Sequence, residues 1–457
     1  MLENTVLGKI IDDKKIWVAE RKQQQPLASF EADLTPSDRS FYDALHADGT
    51  HFILECKKAS PSKGLIRADF DIPLIAGAYK NHASAISVLT DTKYFQGEFE
   101  YVTQVRNLVS QPVLCKDFVI DEYQIKLARH YQADAVLLML SVLTDEEYVA
   151  LAKVAHQYNM GILTEVSNDE ELERALKLDV KIFGINNRNL RDLSTDLNRT
   201  KELSPKIPAG KVVICESGIY THDQVKDLRH HAKGFLVGSS LMGQDDVELA
   251  CRKLILGNNK VCGLTSAEDA HKAYQAGAVF GGLIFAEGSP RQVDLAKAQQ
   301  VQQGAPLQYV GVFQNAELAQ VAQTANTLNL AAVQLHGQED QAYISDLKAL
   351  LPEHVAVWKA LGVTDEVPAF IDNADIQLLD TRIGKLSGGT GKTFDWRLLA
   401  GHPKSQLMLA GGISPDNANE AANQDCLGLD LNSGVESAPG IKDQQKLDSA
   451  FAAIRKY

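Results

Sequence analysis

The segment Ile53–Gly64, "ILECKKASPSKG", starts as an apolar strand and within four residues carries Glu55, Lys57 and Lys58. Side chains on a strand alternate faces, so Glu55 and Lys57 share one face while Cys56 and Lys58 take the other. In a parallel barrel one of those faces is the lumen, and charge is tolerated where the lumen opens at the C-terminal ends of the strands. The pattern recurs along the first half of the chain. Lys116 ends "VLCKDF", Glu165 ends "GILTEV", Asn186 ends "FGINN" and Glu216 ends "VVICES". A layer of ion pairs kept only for stability would be a poor stabiliser, because desolvation offsets much of its Coulomb gain. Strand-end charges at matching positions therefore point to catalysis.

Outward from this stretch, short apolar runs alternate with segments of helical periodicity. The first half offers "HFILECK", "AISVLTD", "PVLCKDF", "AVLLML", "GILTEV", "IFGINN", "VVICES" and "GFLVGSS"; after Gly257 the alternation restarts with "KVCGL", "FGGLIFA", "YVGVF", "AVQLHG", "AVWKAL", "IQLLDT", "LMLAGGI" and "GLDLNSG". Helical segments such as "TDEEYVALAKVAHQYNM" open with acidic first turns and carry apolar residues three and four apart. Short, nearly all-apolar strands, each followed by a helix, suit a parallel sheet covered on both faces. The reading is α/β, two tandem (β/α)8 TIM barrels, at residues 1–256 and 257–457, divided near "LGNNK". A pair of open doubly wound sheets is the alternative. Before the first strand, "IIDDKKIWVAERKQQ" and "SDRSFYDALHA" read as extra amphipathic helices covering a barrel end.

Composition bounds the partners. A 457-residue chain with 45% apolar residues suits two large domains, and its net charge of −13 argues against a nucleic acid or an anionic membrane. No apolar run reaches the roughly 18 residues of a membrane span, and the N-terminus lacks a leader pattern, so a cytoplasmic chain is expected, acting as a monomer on small molecules. Cysteines at 56, 115, 215, 251, 262 and 426 lack paired metal-site spacing. Any anionic ligand then needs local positive groups or backbone N–H donors. "ESGIY" and "GSSLM" follow the seventh and eighth strands of the first half, where barrels commonly hold phosphate. Ser217, Gly218, Gly238 and Ser239 are the expected contacts, with Ser60 adding a hydroxyl. "LAGGIS" and "NSGVES" occupy the same places in the second half, offering Gly411, Gly412, Ser433 and Gly434. There, Lys260 and Cys262 share a strand face and Asp380 ends the sixth strand, so a thiol and a carboxyl can exchange protons with neighbouring substrate atoms. "LSGGTGKT" is no phosphate-binding loop of the nucleotide type, since Leu386 stands where its first glycine is required.

Taken together, "ILECKKASPSKG", "PVLCKDF", "GINNRNL", "ICESGI" and "FLVGSSLM" resemble indole-3-glycerol phosphate synthase. "KVCGLT", "FAEGSPRQV", "VQLHG", "LLDTR", "GGTGKTFDW" and "LAGGIS" resemble phosphoribosylanthranilate isomerase. The resemblance implies a bifunctional enzyme of tryptophan biosynthesis working on phosphorylated anthranilate derivatives, with no metal, nucleotide or redox cofactor. It implies Cys262 as base and Asp380 as acid of an Amadori rearrangement, Lys260 lowering the pKa of the cysteine, and Arg291 holding the anthranilate carboxylate. His336 is a substrate contact or a satisfied core residue, and Lys260 and Gly389 join the substrate and phosphate contacts. For the synthase it implies Lys116 as the acid, Lys57 as carboxylate ligand or second acid oriented by Glu55, and Glu165 as base. Asn186, Arg188 and Glu216 act as positioning residues. Rival readings are another double-barrel sugar-phosphate isomerase, for which an aspartate would stand at Cys262, and a non-catalytic phosphate-binding scaffold.

Overall fold

The computed structural model describes residues 5–383, 386–387 and 392–457, and the chain divides into two compact units, Met1–Leu254 and Ile255–Tyr457. In the first unit β1 (His51–Cys56), β2 (Ala85–Leu89), β3 (Val113–Lys116), β4 (Ala135–Met139), β5 (Gly161–Val166), β6 (Ile182–Asn186), β7 (Val212–Glu216) and β8 (Gly234–Val237) pair in parallel and in chain order, and β8 closes the ring on β1. In the second, β9 (Lys260–Val261), β10 (Phe280–Ile284), β11 (Gln308–Phe313), β12 (Ala332–Leu335), β13 (Ala356–Val363), β14 (Ile376–Ile383), β15 (Leu407–Leu409) and β16 (Gly428–Leu431) form the other closed ring. Helices run outside the strands, which are therefore buried on both faces. The acidic first turns serve as caps: Thr144 and Glu147 form a capping box at the start of the helix Asp145–Gln157.

Parity sorts the first barrel's interior. Ile53, Leu114, Leu163 and Ile214, from β1, β3, β5 and β7, belong to one buried apolar cluster. Four side chains from alternate strands make one layer of such a barrel. Two residues further along the same strands stand Glu55, Lys116, Glu165 and Glu216. The next layer up is therefore wholly ionisable and rests on an apolar floor.

The two N-terminal helices take opposite ends of this barrel instead of sharing one. In α1 (Val6–Gln24) the residues Leu7, Ile10, Ile11, Lys14 and Val18 stand at i, i+3, i+4, i+7 and i+11, one face of a helix, and are buried. Leu7 and Ile10 join the barrel core from the strand C-terminal side, and Val6 and Ile10 line the cavity there. In α2 (Phe41–His46) Phe41 closes the other end. A Cβ on Gly161, the first residue of β5, would lie 2.6 Å from the Phe41 Cβ.

Lys14 on the buried stripe of α1 is 3% exposed, with its Nζ 2.6 Å from Asp91 Oδ2 and 2.7 Å from Asp117 Oδ1. Asp91 caps the short helix after β2, and Asp117 follows Lys116 and accepts from Thr90 Oγ1 at 2.7 Å. Burial opposes the charge on Lys14, and the two carboxylates outweigh it and raise its pKa. Removing the cation alone strands two buried carboxylates. Lys14→Met should destabilise the first unit by about 3–5 kcal/mol. Urea unfolding of the full chain followed by circular dichroism checks this: an unchanged first transition would refute the anchoring role.

Candidate active sites

The first site is a cavity at the C-terminal ends of β1–β8, lined by Glu55, Lys57, Lys116, Glu165, Asn186 and Arg188 among others. Lys116 Nζ donates to Glu216 Oε2 at 2.7 Å and lies 3.5 Å from Glu55 Oε2. Lys57 Nζ is 2.6 Å from the other Glu55 oxygen, and Ser87 Oγ donates to Glu55 Oε2 at 3.3 Å. The two lysines thus meet on one buried carboxylate. Burial works against ionised Glu55, but Lys57 and Lys116 prevail and hold its pKa below the usual range. Burial likewise works against charged Lys116, and Glu216, Glu55 and Glu165 override it upward. Glu165 goes the other way. Burial and then the Glu216 charge push it up to about 8, against the pull of Lys116 and a hydrogen bond from Asn186. One layer therefore holds a carboxylate kept ionised and a carboxyl poised to exchange a proton.

A polar corner adjoins this cavity, lined by Lys57, Arg188, Ser217, Gly218, Gly238 and Ser239 together with Tyr220 and Ser240. Ser217 and Gly218 have φ of 66° and 86°, a consecutive left-handed pair of the kind that forms anion-binding concavities. The hydroxyl of Ser240 is buried without a hydrogen-bond partner among the described residues. Ser60 is buried, faces the main cavity and lies 3.4 Å from the Ser62 hydroxyl. The apolar wall opposite is the part that sequence reasoning missed. Val6 and Ile10 of α1, Phe95, Phe118 and Leu190 stand there, with the Phe95 and Phe118 rings 6.1 Å apart. It offers a slot for an aromatic ring.

The second site is a cavity in the other barrel, lined by Cys262, Arg291, His336, Asp380, Gly411, Gly412, Ser433 and Gly434. Lys260, grouped by sequence with the substrate contacts, is instead fully buried beneath this cavity, with its Nζ 2.8 Å from Asp430 Oδ2 and hydrogen-bonded to the Cys262 sulfur. It touches Asp430 and the cysteine and does not line the cavity. Lys260 pulls the Cys262 pKa down, as expected, but a larger effect opposes it. Burial raises that pKa, and the downward pull of Lys260 does not cancel the rise. Asp380 is pushed up to about 7 by burial and by the neighbouring Asp430 charge. His336 Nε2 lies 3.8 Å from Asp380 Oδ2 and its Nδ1 is 3.3 Å from the Gln334 amide nitrogen.

Arg291 holds Glu436 in a fork, with Nε and Nη2 at 2.9 and 2.7 Å from its two oxygens, and the buried Lys442 Nζ shares that carboxylate at 2.7 Å. The fork expected for a substrate carboxylate is thus already closed on the protein. Gly411 and Gly412 have φ of 89° and 63°, so both barrels place two left-handed residues after their seventh strand. Gly389 lies outside the described residues. Asp430, Glu436 and Lys442 were not singled out from the sequence, although the parity argument applied to the eighth strand would have found Asp430.

The comparisons agree with this geometry. Residues 7–254 match the family model for indole-3-glycerol phosphate synthase and residues 259–453 that for N-(5'-phosphoribosyl)anthranilate isomerase. The tryptophan biosynthesis protein TrpCF of Vibrio parahaemolyticus is 64% identical over 456 residues, covering 99% of this chain and 94% of that protein. Its namesake in Vibrio cholerae is 62% identical over 453 residues, with 99% and 96% covered. A solved phosphoribosyl anthranilate isomerase from Thermus thermophilus is 32% identical over 43% of this chain and 97% of its own, with a TM-score of 0.38.

The second site makes a direct prediction. Asp380 should release its proton near pH 7, seen as loss of a protonated-carboxyl infrared band that is absent from Asp380→Asn. In Asp430→Asn the midpoint should fall, because a negative neighbour is gone. A band already lost by pH 5 in the unsubstituted chain would contradict the assignment.

Proposed function

The chain belongs to the indole-3-glycerol phosphate synthase family through its first barrel and to the phosphoribosylanthranilate isomerase family through its second, and from that premise we propose which side chains perform each reaction. It is a bifunctional enzyme of tryptophan biosynthesis, with the decarboxylating synthase N-terminal and the isomerase C-terminal. Its substrates are small phosphorylated molecules. The proposed setting is a cytoplasmic monomer without nucleic-acid or membrane partners, in keeping with the net charge of −13.

In the isomerase, Asp380 protonates the ribose ring oxygen of N-(5'-phosphoribosyl)anthranilate as the ring opens, and Cys262 removes the C2' proton from the resulting iminium. The product is 1-(2-carboxyphenylamino)-1-deoxyribulose 5-phosphate. An Asp380 carboxyl pushed up to about 7 retains a proton to give near neutrality. Cys262 accepts the C2' proton as the thiolate, a form that Lys260 and the cationic iminium beside it favour against the burial that raises its pKa. Gly411, Gly412, Ser433 and Gly434 surround the phosphate, joined by Gly389 on the strength of the resemblance. Arg291 presents only Nη1 to the anthranilate carboxylate, the rest of its fork being on Glu436.

In the synthase, Lys116 donates a proton to the C2' carbonyl oxygen while the aromatic carbon attacks, and carbon dioxide and water then leave. Lys57 binds the substrate carboxylate, with Glu55 orienting it; Glu165 is the base for dehydration and rearomatisation, with Asn186 on it and Glu216 on Lys116. Ser60, Arg188, Ser217, Gly218, Gly238 and Ser239 hold the phosphate. The observation that carries this reading is the Lys116 ammonium, 2.7 Å from Glu216 and facing the open cavity within a layer that also holds Glu55 and Glu165.

Lys116→Met should cut synthase turnover by about 10²–10⁴-fold and leave the isomerase active, and Cys262→Ala should do the reverse. Anthranilate fluorescence follows both reactions, and loss of both activities in either folded variant would refute separate sites. The pH profile is the second check. Glu165 acts as base only when ionised, so synthase kcat/KM should fall roughly tenfold per unit below about pH 8. The midpoint should move down in Glu216→Gln, where a negative neighbour is lost. A profile flat from pH 6 to 9 would remove Glu165 from the role.

A further inference from the structure

We propose that Gly184 is a positioning residue of the synthase: the side chain missing from β6 is the slot in which the Glu216 carboxylate lies so that it can hold Lys116. This rests on the catalytic reading of Lys116 given above and adds a group that no side-chain chemistry would reveal.

The geometry is specific. Gly184 stands in β6 in register with Glu165 of β5 and Ile214 of β7, on the same interior face as Asn186, two residues on. A Cβ built on it would lie 2.0 Å from Glu216 Oε1 and 3.2 Å from the carboxyl carbon. No backbone requirement explains the glycine, because Gly184 is absent from the positive-φ residues and its strand is regular. The approach is not to the loose end of a flexible surface chain. Glu216 is 1% exposed, its Oε2 is committed to Lys116 at 2.7 Å, and its Oε1 accepts no hydrogen bond among the described residues. One added methyl must therefore push the carboxylate off its seat.

The consequence follows from what Glu216 touches. Displacing its carboxylate lengthens or breaks the contact to Lys116, whose remaining partner, Glu55, is 3.5 Å away and already shared with Lys57. The ammonium then swings toward Glu55 and away from the position from which it protonates the substrate. Misplacing a reacting group by about 1 Å costs on the order of 10²-fold in turnover. Substrate affinity, set by the phosphate corner and the apolar wall, should barely change.

The test uses the full chain with four variants: Gly184→Ala, Glu216→Asp, the two combined, and Lys116→Met. Gly184→Ala should lower synthase kcat about 100-fold with KM within about threefold of the original, and the isomerase activity should persist. Glu216→Asp, shorter by one methylene, should lose about tenfold. In the double variant the shorter carboxylate regains clearance, so its activity should match Glu216→Asp and exceed Gly184→Ala. A glycine needed only for strand packing would give no such rescue. The proposal is overturned if Gly184→Ala keeps kcat within about threefold, or if the double variant multiplies the two losses. Should Gly184→Ala fail to fold, Glu216→Asp against the double variant decides: activity within about tenfold of Glu216→Asp supports the slot, and a larger further loss, toward the roughly 100-fold of multiplied effects, overturns it. Lys116→Met separates the layers of the argument. If it retains turnover the catalytic reading itself falls, whereas if it is inactive and Gly184→Ala is normal only the slot falls.

Discussion

The first barrel depends on one ammonium held between carboxylates. Lys116, 2.7 Å from Glu216 and 3.5 Å from Glu55, supplies the positive charge around which a buried ionisable layer can exist. Without it, three carboxyl groups from alternate strands would face one another over an apolar floor of Ile53, Leu114, Leu163 and Ile214. With it, the groups are driven apart in proton affinity: Glu55, touched by two lysines, falls, and Glu165, buried and beside the Glu216 charge, rises to about 8. Pairs of titratable groups pushed in opposite directions mark acid and base roles. The layer stabilises the fold little, since desolvation offsets its Coulomb energy. Stability comes instead from the apolar layers beneath and from α1 and α2 at the two ends.

The second barrel solves the same problem with the order inverted. Lys260 is buried under the proposed base Cys262, whereas Lys116 is itself the proposed acid, and the counterion Asp430 also presses on Asp380. Both members of this buried pair act on both proposed groups: Lys260 pulls Cys262 and Asp380 down, and Asp430 pushes both up. Clearance recurs as well. A Cβ on Gly282 would lie 2.6 Å from the Cys262 sulfur, and one on Gly411 would lie 2.8 Å from Asp380 Oδ1. In both barrels a glycine leaves room for a proposed reacting group or for the carboxylate that holds it.

Much of this was legible in the sequence because strand parity is a local rule. It identified Glu55, Lys116, Glu165 and Glu216 as inward-facing strand ends, and the strand–helix alternation gave both barrels, since each runs in chain order. What escaped depends on partners remote in sequence. Lys14 looks like any solvated helix lysine until Asp91 and Asp117 close on it, and the Lys260–Asp430 contact spans 170 residues. Arg291 read as an open fork because Glu436, 145 positions on, could not be placed against it. The two N-terminal helices were expected at one end because amphipathicity tells which face is buried and not against what. Gly184 illustrates the deepest limit: its contribution is an absence, visible only once the Glu216 carboxylate has coordinates.

An acidic chain binding anionic substrates raises an apparent conflict, and length scale resolves it. Fields of surface charges are screened over about 10 Å at ordinary ionic strength, whereas a cavity wall acts at contact. Lys57 and Arg188 line both the reaction cavity and the polar corner beside it. The left-handed pairs Ser217–Gly218 and Gly411–Gly412 add backbone donors that carry no net charge and titrate at no accessible pH. Phosphate binding can then remain constant while Glu165 and Asp380 change protonation in the working range. A site that gripped its phosphate with further lysines would raise the local positive potential and lower both carboxyls toward their ordinary values. Burial and a neighbouring carboxylate keep a proton on Glu165 and Asp380 near neutral pH, and uncharged backbone donors in the proposed phosphate sites leave that balance undisturbed.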